Sequence, residues 1–245
     1  VALNTAGQSV TFVYVDSTQG WLNTMDSTSN VRANNFIVAT GGTPCSGAIS
    51  GDYKIHTFTG PGTFCVSAVG PGSPDQTDEV SYVVVAGGGG GAGGVSNAGA
   101  GGGAGGFREG KNASDPYADS PLDSGTAITV TVQGYPIVVG GGGCGSAPPA
   151  SGNQGSTSTF STIDSAGGGA GGSGGGGGGG SAAGKAGGAG NTPPTPVAQG
   201  TAGGTGGSPA PDRQAGGGGG ATVAGTNATP SQAGPGGDGA TSSIN

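Results

Sequence analysis

Apolar and polar positions alternate in the first third of the chain and in two short islands beyond it. Val10-Thr11-Phe12-Val13-Tyr14-Val15, Asn35-Phe36-Ile37-Val38-Ala39 and Tyr53-Lys54-Ile55-His56-Thr57-Phe58 combine β-branched and aromatic residues in a two-residue rhythm, which predicts strands. Thr59-Gly60-Pro61-Gly62 has turn chemistry and is followed by Thr63-Phe64-Cys65-Val66-Ser67, so a β-hairpin joining 53–58 to 63–67 is the strongest local expectation. Val80 to Val85 predicts a further strand that leads straight into glycine. The islands are Thr126 to Val132 and Ser158 to Ile163, each reading as a strand.

Elsewhere the rhythm gives way to glycine. Ten of the 64 glycines precede residue 81, so the remainder of the chain is about one-third glycine. They fall in runs at roughly 86–106, 140–145, 167–180, 184–190, 200–207, 216–220 and 234–239, broken by proline- and hydroxyl-rich segments. Three regions follow: residues 1–40, a β segment suited to docking or trimerisation; residues 41–85, containing the hairpin; and residues 86–245, the glycine-rich body.

Only 31% of the chain is apolar and 8% charged, so a conventional side-chain core is not the expected solution for the body. A net charge of −7 is too small to hold so long a chain open by self-repulsion. Collagen is excluded, because runs such as Gly174 to Gly180 break the every-third-residue glycine register its axis requires. A free glycine tract loses more conformational entropy on ordering than any other sequence, so order needs a collective gain. The polyproline II conformation offers one: it has three residues per turn, rises about 3.1 Å per residue and points its N–H and C=O groups outward. Without Cβ atoms, neighbouring rods can approach and pair those groups. The expected fold is therefore mainly β plus irregular, with essentially no α-helix: a small N-terminal β-sandwich or sheet, then a bundle of packed polyglycine II helices with loops at its ends. Ala92, Ala98, Ala100, Ala104 and Ala170 are expected at outward or slack positions. Glycine linkers between small β pieces are the alternative.

The acidic balance, with a pI of about 4.2, and six scattered Lys and Arg residues argue against nucleic acid as a partner. No apolar stretch approaches the length of a membrane helix, so membrane insertion is not expected. The chain begins at Val1, which suggests a processed product or part of a longer polypeptide.

Chemical motifs are sparse, and no enzyme is expected. Gly-x-Gly-x-x-Gly recurs, as it must at this glycine density, without the βαβ context of a dinucleotide site. Gly179 to Lys185 spells G-x-x-x-x-G-K, but Ala186 stands where a phosphate loop needs a hydroxyl. His56, the one histidine, sits in strand text and reads as structural. Asp115, Asp119 and Asp123 share the largest glycine-free insertion but lack calcium-loop spacing, so neither metal nor cofactor is predicted. Asn112-Ala113-Ser114 and Asn227-Ala228-Thr229 fit the glycosylation pattern. Cys45 and Cys65 flank the expected hairpin and are the candidates for a disulfide, with three free or buried thiols, including Cys144, as the alternative. Phe107, Tyr117, Tyr135 and Phe160 lie close to the ends of glycine runs, where they can cap the bundle or offer stacking surface.

The stretch Gly51 to Val66, followed by Val80-Ser81-Tyr82-Val83-Val84-Val85-Ala86 and a glycine burst, resembles a glycine-rich domain common in predicted marine phage proteins that look like tail-fibre or other virion appendage chains. The resemblance continues through Gly105-Gly106-Phe107-Arg108, Ile128 to Val132 and Ser156 to Ile163, covering roughly residues 40–180. Upstream, Leu3 to Val10 and Val13 to Trp21 are similar to a segment that often precedes that domain. In composition and run length the chain is also similar to the adhesins at the long-tail-fibre tips of some T-even-like phages, in which polyglycine II rods carry variable receptor-binding loops. These resemblances imply a virion fibre or tail-tip protein, exposed on the virion surface, that mediates host attachment. The implied partners are itself as a homotrimer, other virion fibre or tail proteins, and a host cell-surface glycan or outer-membrane protein. The receptor-contact candidates are Phe107, Arg108, Lys111, Asp115, Tyr117, Asp119, Tyr135, Pro193 and Pro194. A non-adhesive fibre component is one alternative. Another is an ice-binding polyglycine II protein similar in composition to springtail antifreeze proteins.

Overall fold

The structure is a computed structural model that describes residues 10–17, 20–26, 36–70, 78–93, 99–147, 150–171, 174–181, 184–208 and 213–244. The expectations placed on Leu3 to Ser9, on Asn35 and on Ala98 lie outside these residues. Among the described residues there are thirteen β-strands and no α-helix.

Strands β1 (Val10–Asp16) and β2 (Gly20–Asp26) form a separate antiparallel hairpin, with Tyr14 paired to Trp21 and their rings edge to face at 5.4 Å. The central sheet has five strands in the order β13 (Ile163–Ser165), β12 (Ser158–Phe160), β11 (Gly134–Val138), β6 (Gly62–Ala68) and β3 (Val38–Thr40), all antiparallel. Along β6 the rhythm works as expected: Phe64 and Val66 turn inward while Thr63, Cys65 and Ser67 stay exposed. Three small two-stranded units complete the β structure. These are β4 (Ala48–Ser50) with β5 (Tyr53–Ile55), β7 (Glu79–Val80) with β10 (Ile128–Thr129), and β8 (Tyr82–Val85) with β9 (Phe107–Gly110).

The side-chain core is a cluster of Ala39, Phe64, Val66, Tyr82, Val84, Val130, Tyr135 and Phe160. Phe160 is its hub, meeting Phe64, Tyr82 and Tyr135 edge to face at 6.0, 6.5 and 6.1 Å. Such pairs add to the area buried because ring edges are positive and ring faces negative. The core draws on both sides of the composition shift, since β11, β12 and β13 come from within the glycine-rich body. The β8–β9 unit packs against β12 and β13 and sends Tyr82 and Val84 into the same core.

Four local expectations need correction. The 53–58 segment does not pair with 63–67. Instead β5 folds back on β4 through Gly51, whose φ of 57° suits a tight turn, and β6 pairs with β3 and β11. Ser158 to Ile163 is not one strand but the start of a hairpin, because Ser161 adopts φ 53° and reverses the chain into β13. Ala100 and Ala170 do not face outward but are buried. Ala92 and Ala100 bridge their two runs, and a methyl on Gly171 would crowd both. Finally, Cys45, Cys65 and Cys144 are all free and exposed: Cys65 lies on the outer face of β6 while Cys45 sits in the turn whose carbonyl accepts from the Gly41 N–H, so the Cys45–Cys65 disulfide is absent.

The glycine runs carry no helix or strand beyond isolated bridges, yet their backbones are thoroughly paired. From the run 86–93, the N–H groups of Ala86, Gly89 and Ala92 donate to the carbonyls of Gly106, Gly103 and Ala100. Those of Gly87, Gly90 and Gly93 donate to Ser156, Asn153 and Ala150 in another run. The carbonyls of Gly88 and Gly91 accept from Gly143 and Ser146, and those of Gly87 and Gly90 from Gly168 and Gly171. Each series steps by three residues, so successive residues of one run address different neighbours. The same step joins 200–207 to 214–220 through Thr201 to Gly220, Gly204 to Gly217 and Gly207 to Gln214. Residues 165–170 and 175–181 lie wholly buried at the centre.

Candidate functional site

Glycine serves this bundle by being small. The described glycines with positive φ are Gly41, Gly42, Gly47, Gly51, Gly125 and Gly184, of which only Gly184 belongs to a glycine run, as its first residue. A Cβ on Gly89, Gly103 or Gly178, by contrast, would fall on the carbonyl oxygen of Gly169, Gly177 or Gly188. Side chains able to do chemistry are thereby expelled to the loops, and one loop concentrates them.

That loop, residues 111–125, leaves β9 and returns to Ile128. Lys111 organises it from within. Its side chain is only 8% exposed, and Nζ donates to the Asp115 carbonyl at 2.9 Å, the Tyr117 carbonyl at 2.9 Å and Asp119 Oδ1 at 2.8 Å. All three ammonium donors are thus used. The same nitrogen stands 4.9 Å from the Tyr117 ring centroid, within cation–π range. The Asp119 hydrogen bond raises the Lys111 pKa, so the charge persists through neutral pH. Asp115 is the second node: Oδ2 accepts from Ser81 Oγ at 2.6 Å and from Tyr117 OH at 2.9 Å, and Oδ1 accepts from Tyr53 OH at 3.4 Å. Burial, foremost, raises the Tyr117 pKa well above its usual value, and the ring packs edge to face on Tyr53 at 5.8 Å. Asp123 Oδ1 ties the loop ends together by accepting from the Lys111 and Gly125 N–H groups.

The structure therefore brings Lys111, Asp115, Tyr117 and Asp119 together. It does not bring in the others. Phe107 and Tyr135 are buried: Phe107 lies under the bundle with its N–H on the Gln199 carbonyl, and the Tyr135 hydroxyl accepts from the Thr131 N–H at 2.8 Å. Neither offers surface to a receptor. Arg108 Nη1 donates to the Asp164 carbonyl at 3.2 Å beside β13. Pro193 and Pro194 sit exposed in a different turn, held by Asn191 and by Gln199 Nε2 donating to the Pro193 carbonyl at 2.8 Å. Tyr53, Ser81 and Glu79 belong to the loop's setting but had no distinguishing sequence signal, since they arrive from other strands. Asn112 is buried with its amide donating to Glu79 Oε2 at 2.9 Å, which leaves that glycosylation pattern engaged inside the fold.

Asp115, Asp119 and Asp123 engage separate partners, and among the described residues no three His, Cys, Asp or Glu side chains converge as a metal centre requires. His56 donates from Nδ1 to the Gly41 carbonyl, 2.8 Å away, and packs on Phe64. No described helix is long and apolar enough to cross a membrane.

The sequence model of a family described as "Glycine-rich domain" matches residues 59–245. The chain belongs to this family. Its glycine-rich domain thus begins in the turn before β6 and takes in the aromatic core, the 111–125 loop and every glycine run. No curated protein matches the chain, and no solved structure does.

Proposed function

We propose that this chain is a virion fibre or tail-tip protein, exposed on the particle surface, that attaches a phage to its host. In this reading the glycine runs are polyglycine II rods, and the bundle is a rigid platform for loops that read a cell-surface glycan or outer-membrane protein. The rod assignment is supported by the three-residue step of the lateral hydrogen bonds, which suits a helix of three residues per turn.

The observation that carries the attachment reading is the pre-organised 111–125 loop. A loop whose lysine is committed to its own carbonyls presents a fixed surface, and fixing a surface before binding reduces the entropy cost of association. Tyr53, 40% exposed, and the carboxylate of Asp119, 70% exposed, give that surface an aromatic ring and hydrogen-bond acceptors, the chemistry suited to sugars. Partnership with other virion proteins and homotrimerisation belong to the same proposal.

The test is adsorption of the purified chain to a panel of marine bacteria, with competition against phage infection. Binding that Asp119→Ala and Tyr53→Ala each weaken at least tenfold while the chain remains folded is the expected result. Binding to no strain, together with failure to block infection, overturns attachment and leaves a purely structural fibre.

A further inference from the structure

The three-residue pairing rule predicts which backbone groups a run has left over, and the leftovers converge. Between the runs 99–104, 215–220 and 233–239 lies an open groove of about 500 Å³ lined only by glycine and alanine. Its lining includes Gly99 and Gly102 of the first run, Ala215 and Gly218 of the second, and Ala233, Gly236 and Gly239 of the third. None of these seven residues donates a hydrogen bond from its N–H among the described residues, although their neighbours do so on either side: Gly103 and Ala104 in the first run, Gly216, Gly217, Gly219 and Gly220 in the second, Gly234 and Gly237 in the third. Gly101, also in the lining, donates none either, so the groove gathers unused N–H groups from all three runs. The groove is thus one unfilled rod position, continuous with the run-to-run packing around it.

The complementary feature lies on the run 140–146. Its N–H groups at Gly143 and Ser146 pair with the run 86–93, and its carbonyls at Gly141 and Cys144 with the run 150–156. Gly142 and Gly145 form the remaining face; both are exposed, and neither donates a backbone hydrogen bond. A methyl on Gly142 would meet the Gly88 carbonyl at 3.7 Å and one on Gly145 the Gly91 carbonyl at 3.5 Å, ordinary contacts with the neighbouring run that leave room for a side chain. This is an edge rod with an unpaired, side-chain-free face about seven residues, or roughly 22 Å, long.

We propose that the edge rod of one chain enters the groove of a second copy, adding a rod to its bundle. Edge and groove are different surfaces, so the contact is heterologous and repeats head to tail, giving a ring or an open filament. The proposal rests on the rod packing described above but not on host attachment.

Gly142→Trp blocks the edge and Gly236→Trp blocks the groove, each at a position where a Cβ meets only ordinary contacts. Sedimentation of the full chain should show concentration-dependent growth beyond a dimer for the natural sequence, and monomers for each variant alone. An equimolar mixture should stop at dimers, because one intact edge and one intact groove remain. The natural chain offers an independent readout in Cys144, exposed on the edge rod: its alkylation, followed by peptide mass, should slow as concentration rises while that of Cys65 does not. A monomer throughout the micromolar to millimolar range, association that survives both tryptophans, or Cys144 labelling indifferent to assembly each overturns the proposal. Circular dichroism of the monomeric variants reports the polyproline II signature separately, so failure of association is distinguishable from failure of the rod assignment.

Discussion

The β core and the glycine bundle bury comparable lengths of chain by opposite means. Around Phe160, side chains fill the space and backbones stay apart; around residues 165–181, backbones fill the space and side chains are excluded. In the first region, loss of volume is the damaging change, because interiors pack to crystal-like density and a vacated ring is only partly refilled. In the second, gain of volume is damaging, because at most buried positions a new atom would fall on the backbone of a neighbouring run. One chain thus contains two solids with reversed sensitivities to the same methyl group.

The comparison is broken most directly by Phe160→Ala. It removes the ring shared by Phe64, Tyr82 and Tyr135 and should cost about 3–5 kcal/mol of stability in chemical denaturation. A loss near zero would mean that the sheet is held by the bundle. Next is Gly178→Ala, a single added methyl that collides with the Gly188 carbonyl of a facing run and should cost about 1–3 kcal/mol. If it is neutral, backbone contact does not hold the bundle. The two outcomes together test the reversal, since the first variant shrinks a residue and the second enlarges one.

Where the two regions meet, a buried carboxylate sharpens the contrast. Glu109, 1% exposed in β9, has no well-formed hydrogen bond to either oxygen, and burial raises its pKa above the ordinary glutamate value, a shift that the nearby hydroxyls of Ser242 and Ser120 only partly oppose. A group whose folded pKa is raised binds its proton more tightly when folded, so its stabilising contribution is full below the unfolded value of about 4.3 and is lost as pH rises through the folded pKa. Glu109→Gln should therefore raise the melting temperature at pH 7 and flatten its decline between pH 4 and neutrality. An unchanged pH profile would mean that the carboxylate finds a partner in solution. The smallest effect is expected from Gly141→Ala, where a Cβ meets nothing within 4 Å. A gain of about 0.4–1 kcal/mol follows from the reduced freedom of the unfolded chain. A loss there would remove the distinction between filled and edge positions of the bundle.

Legibility in the sequence divides along the same line. The strands announced themselves wherever apolar residues recurred for several positions, as in β6 and β8 of the core and β1 outside it. Gly134 to Val138 escaped notice because Pro136 cannot donate to a ladder and argues against a central strand. It is tolerated there because the pairing of β11 with β12 begins only at Ile137, past the proline. The expected hairpin failed because alternation says that a segment is a strand without saying which strand it meets, and Tyr53 found a nearer partner in Ser50. Within the bundle, glycine density pointed to lateral backbone pairing, but which run meets which depends on carbonyl positions that no side chain marks. The loop was legible as the largest glycine-free insertion. That Lys111 turns inward, and that Tyr53 completes the surface from another strand, depends on contacts 62 residues apart.

The three-residue step has a consequence for how such a chain can vary. In the proposed polyglycine II rods, losing or gaining one residue inside a run rotates everything after it by a third of a turn and presents each downstream carbonyl to the wrong neighbour. Losing or gaining three slides the run along its own axis and leaves every face where it was. At the level of the gene, slippage by nine nucleotides in these repetitive glycine codons is structurally silent, whereas slippage by three disrupts the packing. Rod length is then free to drift in steps of one turn, moving a terminal loop outward or inward by about 9 Å at a time without redesign of the interior.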